Sequence, residues 1–418
     1  MAAELPKVPR GLELEDYVAA LFQSTQHYVE RNVCEPDVLE LDVVATSFAG
    51  GQPDTHLIEV KSGQWGFGDL FKTLGRMHYL SIPKGLFITT RPPEGKPVEF
   101  YAERVGAKGL RVMVIEDIPN APQKFTEAGY GTVDQASHWL WRYSFWAERR
   151  IIETLRAQVQ ERPEAHGPRA ALQYFRLVND EVFLTSDPRE RALKLYEGYM
   201  AHPRLTHGIA RELDGEPFDA ETQGDSEALR NALLRGHHSI LQASMYVEHR
   251  ARLAVLKTVI DCLAAGVDFS ARGLVASALP TTFLTAAREL RQRPQYSRYA
   301  LFWQILLWGW GGLILDDFRE DEEQALARQS GLDRTNVESA LGAFDLLFPS
   351  GNEWIRRMNT ANYRFVAMVP WPFMGIGAFR RIVDHGVERY EALGLSGDFT
   401  TRDLARRHVA AATLLSTQ

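Results

Sequence analysis

Leu39-Glu40-Leu41-Asp42-Val43-Val44 and, beyond a turn, His56-Leu57-Ile58-Glu59-Val60-Lys61 are the two stretches that decide how this chain is read. Each is short and apolar with polar residues at alternating positions, the pattern of a strand with one polar face. Side chains two apart in a strand project from the same side. Glu59 and Lys61 therefore share a face, as do Glu40 and Asp42. Two carboxylates from neighbouring strands with an ammonium beside them suit a hard divalent cation, because Mg²⁺ prefers oxygen ligands and needs only one or two protein carboxylates.

That chemistry matches hydrolysis of a phosphodiester, whose negative charge repels nucleophiles. A cation held by Asp42 and Glu59 lowers the pKa of a bound water and offsets charge in the transition state. Lys61 is placed to orient the attacking water or to act as a point charge on the scissile phosphate.

An acidic residue on one strand followed by Glu-x-Lys on the next resembles the PD-(D/E)xK nuclease superfamily. The local wording, Glu40-Leu41-Asp42-Val43-Val44 and Ile58-Glu59-Val60-Lys61, is similar to its Mrr-like and Holliday-resolvase-like branches. The chain departs from the literal first motif in having Leu41, not proline, before Asp42. The resemblance implies a glutamate on the helix before the first strand. Gly11 to Phe22 fits that helix, with Glu15 as the candidate and Glu13 as its competitor in the alternative register. It also implies a Mg²⁺-dependent endonuclease, Mn²⁺ being able to substitute, with Asp42, Glu59 and Glu15 as metal ligands. DNA is the expected nucleic-acid partner, and prokaryotic defence, restriction or repair the expected setting. Such nucleases often work as homodimers because one site cuts one strand, but the sequence carries no dimer signature.

The order of elements around the motif agrees with an α/β restriction-endonuclease-like domain, a mixed central sheet flanked by helices. The pattern predicts strands over His27–Val33, Asp37–Thr46 and Thr55–Lys61, with a turn at Ala49–Asp54. A helix over Gly66–Tyr79, a doubly buried strand over Lys84–Thr90, a helix over Lys96–Val105 and a strand over Leu110–Glu116 complete it. The nuclease-like domain is assigned to residues 1–125. Glu40 reads as a supporting charge, Asp54 as a turn residue and Gln64 as a loop residue near the site. Acid-x-Lys on a strand edge, taken alone, is usually a solvated pair of little energetic weight. It is the surrounding order of elements that favours the nuclease reading.

From residue 126 to 418 helical periodicity dominates, and the region is read as mostly α-helical. Asp134–Gln160 reads as one long helix, and Ser186-Asp187-Pro188 as a cap opening a helix to Met200. Leu213–Gly224 reads as a loop and Ser226–Ala265 as helical. Residues 322–348 carry Ala327, Gly331 and Val337 at a spacing that resembles a helix-turn-helix. Arg334, Thr335 and Asn336 would then open a recognition helix, with a plain helical hairpin as the competing reading. His237, His238, Glu248 and His249 match no zinc spacing and read as ordinary helix residues.

Composition bounds the rest. At 418 residues, 45% hydrophobic and 24% charged, the chain is an ordinary globular protein with room for two or three domains. Its two cysteines, Cys34 and Cys262, build neither a disulfide framework nor a zinc motif, so a reducing cytoplasm is expected. Met1–Arg10 lacks the apolar run of a signal peptide. Tyr299–Leu315 is apolar but shorter than the roughly 20 residues a bilayer requires. It reads as a buried core helix, and Phe365–Phe379, broken by Pro370 and Pro372, as core; no membrane partner is expected. The net charge of −7 argues against indiscriminate DNA binding. Arginines at 142, 149, 150 and 156, and at 380, 381, 406 and 407, are candidate phosphate contacts. A non-catalytic nucleic-acid-binding or regulatory protein that keeps a nuclease-like fold is the rival reading.

Overall fold

A computed structural model of the chain describes residues 8–35, 39–182, 187–197, 204–220, 226–270, 278–348, 358–359 and 364–368. The chain divides into two compact units. The first holds the described residues up to Arg142 together with 179–182, and the second holds 143–178 and those from 187 onward.

The first unit opens with α1 (Leu12–Ser24), which buries Leu14, Val18, Leu21 and Phe22. The strands β1 (His27–Glu35), β2 (Leu39–Ser47) and β3 (Asp54–Lys61) form an antiparallel meander. After α2 (Phe67–Tyr79) comes β4 (Lys84–Thr89), and after α3 (Val98–Gly106) comes β5 (Leu110–Val114), both added in parallel. The sheet order is β1-β2-β3-β4-β5. The mixed central sheet with flanking helices is thus present. β4 is apolar on successive residues because both of its faces are covered, and Leu86, Phe87 and Ile88 are fully buried.

One core lies where α2 and α3 cover the sheet. Leu70 and Met77 of α2 and Tyr101 and Val105 of α3 join Val44, Leu57, Phe87 and Leu110. Register places Val44 opposite Leu57. The alternation of β3 then puts Glu59 and Lys61 on the same side as Leu57, beside α2.

The first unit runs past the expected boundary at residue 125. The helix α4 (Ala121–Glu127) and the start of α5 (Gln135–Glu161) pack on α1. Phe125 meets Phe22 edge-on at 4.7 Å, and the Tyr17 hydroxyl donates to the Ile118 carbonyl at 2.9 Å. His138 Nε2 lies 3.1 Å from the Tyr17 carbonyl. These contacts tie residues 118–138 to the sheet domain, although their periodicity is helical. The division falls inside α5, between Arg142 and Tyr143.

The second unit is mostly helical: the rest of α5, then α6 (His166–Arg176), α7 (Pro188–Leu195), α8 (Leu205–Leu213), α9 (Ser226–Leu234), α10 (His238–Ala264), α11 (Thr281–Gln292), α12 (Tyr299–Gln304), α13 (Arg319–Ser330) and α14 (Val337–Leu347). Asp187 caps α7 by accepting from the Arg189 N–H at 2.9 Å, and Pro188 takes the first turn as expected. The expected helical stretch 226–265 is two helices, because the chain turns at Gly236 with φ 90°. α8 was not anticipated, and the expected loop begins only at its end. The expected helix end at Met200, the arginines at 380, 381, 406 and 407, and residues 369–379 of the apolar stretch lie outside the described residues.

Tyr299–Leu315 is buried throughout, in agreement with a core role, but it is not one helix. α12 passes into a π-helical turn, Ile305–Gly309, and Gly311 and Gly312 then adopt φ of 66° and 73°. Those left-handed conformations suit glycine alone at little steric cost. They release the chain into β6 (Leu313–Leu315), which pairs with β8 (Arg364–Met368), itself paired with β7 (Met358–Asn359). This small sheet is an addition to the helical reading. The indoles of the stretch find acceptors, as buried tryptophans must. Trp303 donates to the Ala340 carbonyl at 2.7 Å and Trp310 to Gln329 Oε1 at 3.2 Å. No helix among the described residues is long and apolar enough to cross a membrane.

Candidate active site

The site is built where β2, β3, α1 and α2 meet. Asp42 enters from β2, and its Oδ2 accepts the backbone N–H of Val60 at 2.7 Å. The carboxylate is thereby tied to the strand that carries the Glu-x-Lys motif. Burial pushes Asp42 up to about 8, and the nearby carboxylates of Glu59 and Glu15 push the same way. The Val60 N–H and the Arg76 guanidinium oppose them. Burial likewise raises Glu59, against the pull of Arg76 and Lys61.

Glu59 and Glu15 thus lie within electrostatic range of Asp42, and Lys61 within that of Glu59. The structure also separates the two candidate glutamates of α1. Glu15 is partly buried within electrostatic range of Asp42, whereas Glu13 is exposed and acts on Arg142. Two residues apart on a helix, they point in directions about 200° apart.

Both charged residues of the motif are engaged by α2. Lys61 Nζ lies 3.2 Å from Asp69 Oδ1, and Glu59 Oε2 is ion-paired with Arg76 Nη1. Asp69 also accepts the Gly66 N–H at 3.0 Å, closing the first turn of α2. Although partial burial opposes it, that bond and the Lys61 ammonium hold Asp69 below the usual carboxylate range. Among the described residues, no three His, Cys, Asp or Glu side chains converge into a ready ligand set. Glu59 is turned toward Arg76 and Asp42 toward a backbone N–H.

The donor chemistry nonetheless suits a divalent cation. Asp42 and Glu59 are partly buried carboxylates of adjacent strands that repel each other, and an added positive charge relieves that repulsion.

Asp69 and Arg76 were missed by reading the motif alone. They stand seven residues apart, two turns along one flank of α2, a spacing visible in the sequence once the helix is known. Other candidates resolve locally. Asp54 pairs with Lys84 at 2.7 Å at the start of β3, and Gln64 bonds Glu94. Glu40 is exposed.

The remaining nucleic-acid candidates are dispersed or engaged. Arg142 lies over the Tyr17 ring at 5.1 Å, Arg150 pairs with Glu153 at 2.9 Å, and Arg156 is exposed. α13 and α14 do form a hairpin, turned at Gly331 with φ 69°. Arg334 reaches Glu320 and Glu323 at 3.6 and 3.7 Å, and Asn336 donates to Gln295 Oε1 at 2.9 Å. α14 carries no lysine or arginine and buries Val337, Ala340, Leu341, Phe344 and Leu347, so a recognition helix lacks its cations. His249 is buried, with Nδ1 2.6 Å from the Met245 carbonyl, and Glu248 accepts both the N–H and the hydroxyl of Thr206, so neither is set out as a zinc ligand.

Comparisons of the chain with protein-family models, curated proteins and solved structures found no match.

Proposed function

We propose that the first unit is a metal-dependent nuclease domain that hydrolyses phosphodiester bonds, with DNA as its expected substrate. What supports this reading is the electrostatic coupling of Asp42 and Glu59, carboxylates of adjacent strands, with Glu15 acting on Asp42 and Lys61 on Glu59. Asp42 and Glu59 would hold Mg²⁺ or Mn²⁺, assisted by Glu15. When bound, the cation would supply charge neutralisation at the phosphate and acidify a water. Val60 N–H keeps the Asp42 carboxylate oriented toward the Glu59 strand. Lys61 holds a positive charge at the motif's end, where it can orient the attacking water or the phosphate once it leaves Asp69. The sheet supplies the rigid base for this arrangement, since β3 is hydrogen-bonded on both sides by β2 and β4.

The test is cleavage of a panel of double-stranded, single-stranded and branched nucleic acids, with Mg²⁺ or with EDTA. Cleavage that needs Mg²⁺ and is lost in both Asp42→Asn and Lys61→Ala supports the assignment. Variants that cut as well as wild type would remove it.

A non-catalytic binding or regulatory role is favoured by one specific observation. Glu59 and Lys61 are both ion-paired to α2, so the motif is internally neutralised. Calorimetry separates the two readings: a nuclease site binds Mn²⁺ in an Asp42-dependent way, and a purely structural ion-pair cluster does not.

A further inference from the structure

Two polar side chains of α2 answer the two charged residues of the motif. Glu59 and Lys61 lie about 7 Å apart along β3, and Asp69 and Arg76 about 10 Å apart along α2. The helix runs back along the strand, so that the earlier helix residue meets the later strand residue. Asp69 takes Lys61, and Arg76 takes Glu59.

The two bridges differ in what they imply. Asp69 is also fastened to the Gly66 N–H, so it is part of the helix's own first turn. Arg76 sits in the last turn, where the negative end of the helix favours a cation. Its guanidinium occupies Oε2 of Glu59, one of the carboxylates assigned above to the divalent cation. Two positive charges on one carboxylate repel each other, so occupation by one weakens the other. Lys61, the other cation of the motif, is drawn toward Asp69 and leaves Arg76 as the partner of Glu59. Arginine is moreover the side chain best shaped to take a phosphate in a forked pair once it is free.

We propose that Arg76 is a positioning residue of this site: it neutralises Glu59 in the metal-free protein, is displaced when a divalent cation binds, and then turns its guanidinium to the scissile phosphate. This rests on the nuclease reading above.

The test is titration calorimetry of Mn²⁺ into the full-length protein, comparing wild type, Arg76→Gln, Arg76→Lys and Asp42→Asn, with plasmid cleavage measured at saturating Mn²⁺. Arg76→Gln is expected to bind Mn²⁺ about tenfold more tightly, the weight of one partly shielded charge-assisted bond, while cleaving more slowly. Arg76→Lys, a shorter and less directional cation, is expected between the two in both measurements. Affinity in Arg76→Gln equal to or weaker than wild type, with an unchanged unfolding midpoint, would overturn the proposal. If that variant does not fold, Arg76→Lys decides alone, and binding no tighter than wild type overturns it. Asp42-dependent binding that ignores Arg76 sinks only the displacement. Absence of Asp42-dependent binding in wild type and in both Arg76 variants sinks the metal site itself.

Discussion

Two clusters, one in each unit, bury charge in opposite ways. On α10, Lys257 is buried and pairs with Asp261 at 2.7 Å, and Arg191 of α7 approaches the same carboxylate at 3.4 Å. Opposite charges are matched inside the helical unit, with the aspartate set between two cations. Where β2 and β3 adjoin, Asp42 is instead driven up to about 8 by burial and by the nearby carboxylates of Glu59 and Glu15. A matched buried pair fastens elements together. A carboxylate pushed toward its protonated form by burial and neighbouring carboxylates does not fasten elements in that way, and groups perturbed like this are common at functional sites. That contrast separates the structural charges of this protein from the candidate functional ones.

The contrast can be broken most directly by activity. Asp42→Asn and Lys61→Ala are each expected to lower Mg²⁺-dependent cleavage by at least about a hundredfold, with the circular dichroism spectrum unchanged. Asp261→Ala should leave cleavage alone and reduce stability by about 3 kcal/mol, because it strips the carboxylate from two cations in the helical unit. Urea unfolding measures this, and a loss below about 1 kcal/mol would mean that the pair is not the fastening we describe.

A third difference is the pH dependence of the metal-free protein. Asp42 ionises near 3.8 when removed from these influences and near 8 in the fold. Between those values the folded protein keeps a proton that the unfolded chain has released. Stability therefore falls as pH rises through the window from about 4 to 8. Asp42→Asn keeps an acceptor for the Val60 N–H and removes the titration. In EDTA, the variant should overtake wild type in unfolding free energy at pH 8.5 but not at pH 4. Each tenfold difference in proton affinity between fold and unfolded chain is worth about 1.4 kcal/mol, and parallel profiles for the two proteins would contradict the shielded position of Asp42. The smallest effect is expected at the hairpin. Arg334→Ala should change stability by less than about 1 kcal/mol and leave nucleic-acid affinity unchanged in a gel-shift titration. A clear loss of affinity would restore a recognition role to α13 and α14.

Much of the first unit was legible because its signals are local. Alternation marked β2 and β3, and an unbroken apolar run marked β4; Leu70, Phe71, Leu74, Met77 and His78 read as one side of α2, of which Leu70 and Met77 are buried while Phe71 and His78 are exposed. The second unit was less legible. α8 hid beside a polar loop, and the break at Gly236 divided what periodicity joined. Tyr299–Leu315 has no period that separates a helix from a helix that ends in a strand, since every position is buried. The boundary at 142 was equally hidden. Residues 118–138 belong to the sheet domain through Phe125, Ile118 and His138, contacts made with residues about a hundred positions earlier.

By itself, the sequence determined that Asp42, Glu59 and Lys61 would stand on strands, and that Glu59 and Lys61 would share a face. Strand alternation is a property of the backbone and needs no partner. It did not determine which glutamate of α1 turns to the site, nor that α2 sets Asp69 against Lys61 and Arg76 against Glu59. Those pairings depend on how a helix is laid along a strand. Packing of Leu70 and Met77 on Leu57 and Phe87 decides that, and the polar flank of the helix follows where its apolar face is held.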